Sequence, residues 1–409
     1  MKLSSKSTTY LIGAILFINY SMMFLELFSA TVRVILSILI VALIYVLGKK
    51  KVKLGEVKRN FSVNKRVFKV AITLVGIITV SCAINGFDTT FDLYTIIIIL
   101  LSAFLASTIE KDSFRNAYIN SMCCLGLVSS VLFILYRLIP SIFAVFPTHI
   151  WHGDIAMKNL LFCVVQTNSQ YIRNFGIFYE PGMFSCFLVF SIYLLLFHSV
   201  VDIRKLIILS IALLTTLSTN GYICLTILVL TFVFTNSNIS KKIKKRLVAI
   251  LSVIFVGAVI FLVNNRDAYL FLIRKFSEIS FSNVLSMDRM GSGYERWRSV
   301  ILAWEAIKTN PIFGVATVGW QKLFVGVIGT ATPLNWFALY GFLYGIMMNG
   351  LYLKTAVVHT SRNRYVKTVI GIIVLLLNIM TQNMHNNIIV IILIFQSLMK
   401  NKKKMKMGY

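Results

Sequence analysis

Apolar stretches recur from one end of the chain to the other with short polar breaks between them. The longest reach the roughly 20 residues that a helix needs to cross about 30 Å of hydrocarbon. Taken between the breaks, the spans fall at 9–28, 31–48, 69–84, 93–109, 116–137, 181–201, 206–219, 221–236, 247–263, 332–353, 367–382 and 384–399. Ten-residue alternating segments joined by turns, which would signal a membrane β-barrel, do not occur. The pattern therefore predicts an all-α polytopic membrane protein over 1–409, a bundle of about twelve transmembrane helices. Its weakest members are 206–219, parted from the next span only by Ser218, Thr219 and Asn220, and the segment 155–170, expected to be re-entrant or interfacial.

Two connections exceed what joining neighbours requires: 138–180, and 264–331 between the ninth and tenth spans. Long loops on a rigid scaffold are where function concentrates. Within the second, 294–309 has helical spacing, with Trp297, Ile301, Trp304 and Lys308 on one stripe and Asn310–Pro311 as the stop. The plain expectation is an amphipathic helix resting its tryptophans on the bilayer interface. No repeat of 20–50 residues or inverted duplication is visible.

Composition agrees, since 58% hydrophobic and 13% charged residues exclude a soluble globular domain. A net charge of +27 would suit nucleic acid, but its distribution argues against that partner. Lys and Arg cluster at the amino terminus, at 49–69, 111–115, 204–205, 241–246 and 354–367, and at the carboxyl terminus. These clusters hold 29 of the 41 basic residues with only Glu56, Glu110, Asp112 and Asp202 for company. The other side is nearly neutral, with 12 basic and 10 acidic residues. This asymmetry places both termini in the cytoplasm and both long loops outside. The first apolar run lacks a small-residue cleavage site and is expected to stay as the first span. Cys82, Cys123, Cys124, Cys163, Cys186 and Cys224 lie in or beside apolar segments and are expected to be packing residues.

The stretch YIRNFGIFYEPGMFSCF, 171–187, places Arg173, Tyr179 and Glu180 before Pro181, which suits the first turn of the following helix. Glu180 is thus a helix cap beside a snorkelling or paired Arg173, or the two are functional groups at a membrane surface. The large loop adds Arg289, Arg296 and Arg298 within ten residues, with Asp288, Glu295 and Glu305 near enough to pair with some of them. His385 in TQNMHNN is a helix-packing hydrogen bonder or a site histidine. His149, His152 and Asp154 lack a fourth ligand for zinc, and no metal or cofactor is expected.

Four stretches in this order, RNFGIFYEPG, LSTNGYICLTILVL, RMGSGYERWRSVILAWEAIKTNPIFGVATVGW and TPLNWFALYGFLYGI, resemble the O-antigen polymerase and O-antigen ligase family of Wzy-type membrane glycosyltransferases over roughly 165–350. The resemblance implies a polymerase of polyprenyl-diphosphate-linked oligosaccharide repeat units at the outer face of a bacterial plasma membrane. It also implies functional roles for Arg173 and Glu180, and for Arg289, Arg296 and Arg298 at the diphosphate or glycan, with Tyr179, Asn335 and His385 as further binding candidates. A chain-length regulator and a flippase are the partners such a polymerase would have. Ligase-type members carry Ser-Arg where this chain has Thr219–Asn220, and His-Asn where it has Leu334–Asn335. The second departure favours polymerase over ligase. A lipid-linked oligosaccharide flippase is the alternative from another class, and it predicts charges in mid-span and internal symmetry.

Overall fold

The computed structural model describes residues 5–50, 64–151, 155–167, 172–236, 240–242, 244–245, 292–325, 329–358 and 363–399. Three-quarters of the structure is helical, in fourteen α-helices among the described residues. The first apolar run is broken at Tyr20–Ser21 into α1 (Ser5–Tyr20) and α2 (Met22–Leu27), because the Ser21 side chain caps α2 by accepting from the Phe24 N–H. After α3 (Ala30–Lys50) come α4 (Lys65–Asn85), α5 (Phe91–Thr108) and α6 (Lys111–Leu138). Together with α7 (Pro181–His198), the last three are, among the described residues, the four helices long and apolar enough to cross a membrane.

Several expected spans are shorter or interrupted. The second half runs α8 (Ile203–Thr215), α9 (Thr219–Thr235), α10 (Ser292–Thr309), α11 (Ala316–Leu323), α12 (Thr332–Lys354), α13 (Arg364–Met380) and α14 (Ile388–Gln396). Helix α12 is kinked at Tyr340 and Gly341. Of the span expected at 384–399, the helical part is the nine-residue α14, about 13 Å long, entered through a non-helical turn. It is buried along its whole length, a core helix packed against α5 and α12. The span expected at 247–263 lies outside the described residues.

The segment expected to be re-entrant or interfacial supplies two strands of a small sheet. β1 (Thr148–Trp151), β2 (Ile155–Asn159) and β3 (Val164–Gln166) form an antiparallel sheet in that order, with Thr148 opposite Lys158 and Lys158 opposite Val165. Pairing between strands satisfies the backbone groups that a re-entrant coil would have to leave for other partners. Its apolar residues face small clusters: Met157 and Val164 meet Met22 and Phe175, while Val165, Leu160 and Cys163 meet Phe143.

The centre of the bundle is α7, apolar on every side and buried almost throughout, as such a helix must be. It packs against α6, α8, α9 and α13. Two polar ties fix its register: Tyr118 Oη donates to the Phe187 carbonyl at 2.8 Å, and Asn378 Nδ2 donates to the Cys186 carbonyl at 3.0 Å. Five of the six cysteines are buried and Cys124 is exposed. Around this core, α3, α4, α6 and α13 turn outward apolar rows such as Ile35, Leu39, Ile72, Val80, Leu127, Val131, Val369 and Ile373.

Candidate active site

At one end of α7 four pieces of chain meet: the stretch 172–180, the turn after α8, the start of α9 and the turn 381–387 after α13. The approach to α7 is fixed from both sides. Val165 bridges Asn174, and Val164 donates to the Gly176 carbonyl at 2.7 Å, so the sheet continues into the RNFG run. The buried Asn174 side chain donates to Thr215 Oγ1 at 2.9 Å and accepts from the Gly176 N–H at 2.8 Å. Arg173 is thereby held against the carboxyl end of α8. Its Nε and Nη2 donate to the carbonyls of Thr216 and Leu217, each at 3.0 Å. Carbonyls past a helix end lack intrahelical partners, and they clamp the guanidinium without neutralising it.

Pro181 occupies the first turn of α7, and Glu180 precedes it in extended conformation. The Glu180 carboxylate does not cap the helix: no side-chain capping bond forms. Nor is it ion-paired with Arg173, the described ion pairs being Arg115–Asp112 and Lys308–Glu305. It accepts instead from Gln382 Nε2 at 3.2 Å. Gly182 makes room for this contact, since a Cβ there would lie 2.3 Å from Gln382 Nε2.

Charges gather around these two groups. Burial pushes the Arg173 guanidinium below its ordinary value, the Glu180 carboxylate opposes that fall, and Arg296 on α10 adds to it. The charge of Arg296 also reaches Cys186, in the second turn of α7. Arg298, two residues on and thus about 200° round the helix, faces another way. Tyr179 is largely buried beside Glu180, and both effects push its phenol up. The structure therefore brings Arg173, Tyr179 and Glu180 together, with Arg296 within electrostatic reach of Arg173. Arg289, and His152 and Asp154 of the histidine cluster, lie outside the described residues.

The remaining candidates have other surroundings. Asn335 is fully buried, donating to the Gly329 carbonyl at 2.7 Å, which ties the loop before α12 to its first turn. His385 lies in the non-helical turn 381–387 with its ring against Asn383 Oδ1 and its carbonyl accepting from Trp336 Nε1 at 3.3 Å. Burial pushes its imidazole down to about 4, so at neutral pH it is a neutral hydrogen bonder and not a cation for phosphate. On α10 the buried face is Ser299, Ala303 and Ala306, packed toward α12, while Trp304 is exposed. Small residues allow that close approach and leave the tryptophan outward.

Spacing did not single out Gln382 or Tyr222, whose ring lies within electrostatic reach of Arg173. The polar run TQNMHNN between two apolar segments was the available signal for Gln382. Asp92 was missed as well: it is fully buried at the start of α5, accepting from Thr317 Oγ1, from Tyr340 Oη at 2.9 Å and from the Asp88 N–H at 2.9 Å. An arginine gripped by carbonyls, a second arginine, and a carboxylate free of capping duty can together bind an anionic group and accept a proton beside it. Compared with models of known protein families and with curated proteins, the chain matches none.

Proposed function

We propose that the protein is a membrane glycosyltransferase that polymerises polyprenyl-diphosphate-linked oligosaccharide repeat units into a surface polysaccharide, an O-antigen, capsule or related glycan. The chain would cross a bacterial plasma membrane about twelve times, with the Glu180 end of α7 outward. What supports the reading is that Arg173 and Glu180 share the approach to α7 in one long loop, with Arg296 of the other loop within electrostatic reach of Arg173. Transfer to a sugar hydroxyl forms a bond from its oxygen to the anomeric carbon and breaks the bond to the diphosphate, which leaves with the electron pair. Arg173 and Arg296 would meet the charge growing on that diphosphate, and Arg173, held by two backbone oxygens, needs no reorganisation to do so. Glu180 would take the hydroxyl proton, with Gln382 fixing the carboxylate's orientation.

A ligase moving a finished glycan to another acceptor would use the same groups, and the absence of a histidine before Asn335 argues for the polymerase. The transporter reading has Asp92 on its side, a buried carboxylate in an apolar helix. Its place in the first turn of α5, with three donors around it, marks a tie between α5, α11 and α12 more than a relay through the membrane.

The test is the long-chain glycan made by cells whose only copy is a variant at matched membrane level. Arg173→Lys should fail nearly as badly as Arg173→Ala, because a point charge cannot reproduce the planar fork. Glu180→Gln should keep donor binding and lose turnover by about 10²–10⁴-fold. Normal glycan ladders from both Arg173→Lys and Glu180→Gln would sink the assignment.

A further inference from the structure

The far end of α7, about 27 Å from Glu180, carries a polar cluster that the proposed chemistry does not use. A small recess open to the surface is lined there by Lys111, Arg115, Leu194, Thr355, Gln396 and Ser397. Gln396 is 1% exposed, and both its Nε2 and its Oε1 are buried with no hydrogen-bond partner among the described residues. Protein interiors rarely leave a whole amide uncompensated. The Arg115 side chain is 11% exposed, and its pairing with Asp112 is long, 3.4 Å, to a carboxylate that is itself 79% exposed. Lys111 stands one turn before Arg115, and Lys354 at the end of α12 acts on Lys111 as a further like charge. Two apolar helices thus bring cations together around a buried, unsatisfied amide.

We propose that this recess binds a phosphate group that carries a hydroxyl, either hydrogen phosphate or the headgroup of a glycerol-bearing anionic phospholipid. The guanidinium and ammonium groups match the phosphate oxygens, and Gln396 Nε2 donates a further hydrogen bond. Gln396 Oε1 needs a donor, which a hydroxyl supplies and a simple carboxylate ligand does not. Basic pockets between membrane helices are suited to such headgroups, and Leu194 provides an apolar wall for the chain beyond one. The proposal is independent of glycan transfer: it needs only the cluster at this end of α7, which the topology proposed above places at the cytoplasmic leaflet.

The full-length protein, purified in detergent, is challenged with inorganic phosphate against chloride at equal ionic strength. In a second arm it is reconstituted in nanodiscs of phosphatidylcholine with and without phosphatidylglycerol. Thermal unfolding and the lipid retained in native mass spectrometry are read for the unaltered protein, Arg115→Gln and Gln396→Leu. The expected result is stabilisation in one arm, with binding weakened roughly tenfold or more in each variant, as loss of a charge-assisted or buried hydrogen bond implies. A response confined to phosphatidylglycerol identifies the lipid headgroup, and one to phosphate in detergent identifies the free anion. Should Arg115→Gln fail to elute as a single species, Gln396→Leu decides, because it keeps the side chain's bulk and removes only the amide. No response in either arm, or a response unchanged in Gln396→Leu, would overturn the proposal.

Discussion

In the proposed reaction Arg173 would be useful because of what holds it. Two backbone carbonyls orient the guanidinium while leaving its charge uncompensated, whereas a carboxylate partner would have spent that charge. Glu180 shows the same economy, since its carboxylate is turned by Gln382 and not consumed in capping α7. Gly182 tests this arrangement at the scale of one methyl group. In Gly182→Ala the new Cβ would press on the tip of the Gln382 side chain, and a flexible tip can move aside. The helix itself gains, as alanine is the better helix former. We expect glycan synthesis to fall about tenfold, the worth of one hydrogen bond to a charged group, with no loss of thermal stability. Gln382→Met should reproduce the fall. If Gly182→Ala instead keeps full activity, the contact between Gln382 and Glu180 does not matter to turnover.

Among the elements, α12 owes its shape to an interruption. At Tyr340 and Gly341 the helix breaks, and the NPIFG turn after α10 docks into the break, with the Phe342 N–H donating to the Pro311 carbonyl at 2.8 Å and the Val315 N–H to the Ala338 carbonyl at 2.9 Å. Gly341 adopts φ +83°, and a Cβ there would lie 2.0 Å from the Ile312 carbonyl oxygen. Neither backbone can yield without undoing the dock. Gly341→Ala should therefore cost upward of about 2 kcal/mol, from the left-handed conformation and the collision together. Size-exclusion profiles in detergent would show aggregated or lost protein, and a monodisperse, fully stable variant would contradict this account. The joint matters to the site because α10 brings Arg296 and α12 anchors, through Thr332 Oγ1 and the Gln382 carbonyl at 2.6 Å, the turn that holds Gln382.

For the whole molecule, the outward apolar rows of α3, α4, α6 and α13 would be a severe liability in water and are what hydrocarbon requires. The orientation we propose rests on charge: in the twelve-span arrangement 29 basic residues would cluster on one side of the alternating loops and 12 on the other. Reporter fusions after residues 60, 243 and 360 should signal cytoplasm, and fusions after 165 and 285 the outside. An external signal at 243 would move the large loop, and Arg296 with it, to the wrong side for a donor presented at the outer face.

Much of the helical plan was legible along the chain. Residues 69–84, 93–109, 116–137 and 181–201 foreshadow α4 to α7, and Asn310–Pro311 marks where α10 stops, because apolar length and breaker residues act locally. The sheet at 148–166 was not legible, since an apolar run of that length suits a strand or a membrane-dipping coil equally until its partner strand is known. Nor was the complete burial of α14, whose composition does not distinguish a helix facing lipid from one enclosed by its neighbours. At the site, local sequence brought forward Arg173, Tyr179 and Glu180, which share one loop. Which groups complete it depended on packing: Gln382 is 202 residues from Glu180, and Arg296 was one of five arginines in its loop. Hydrophobic periodicity determines that helices form and which face they bury. The meeting of particular helix ends is decided by steric fit among faces of nearly equal apolarity, and that fit exists only in the assembled bundle.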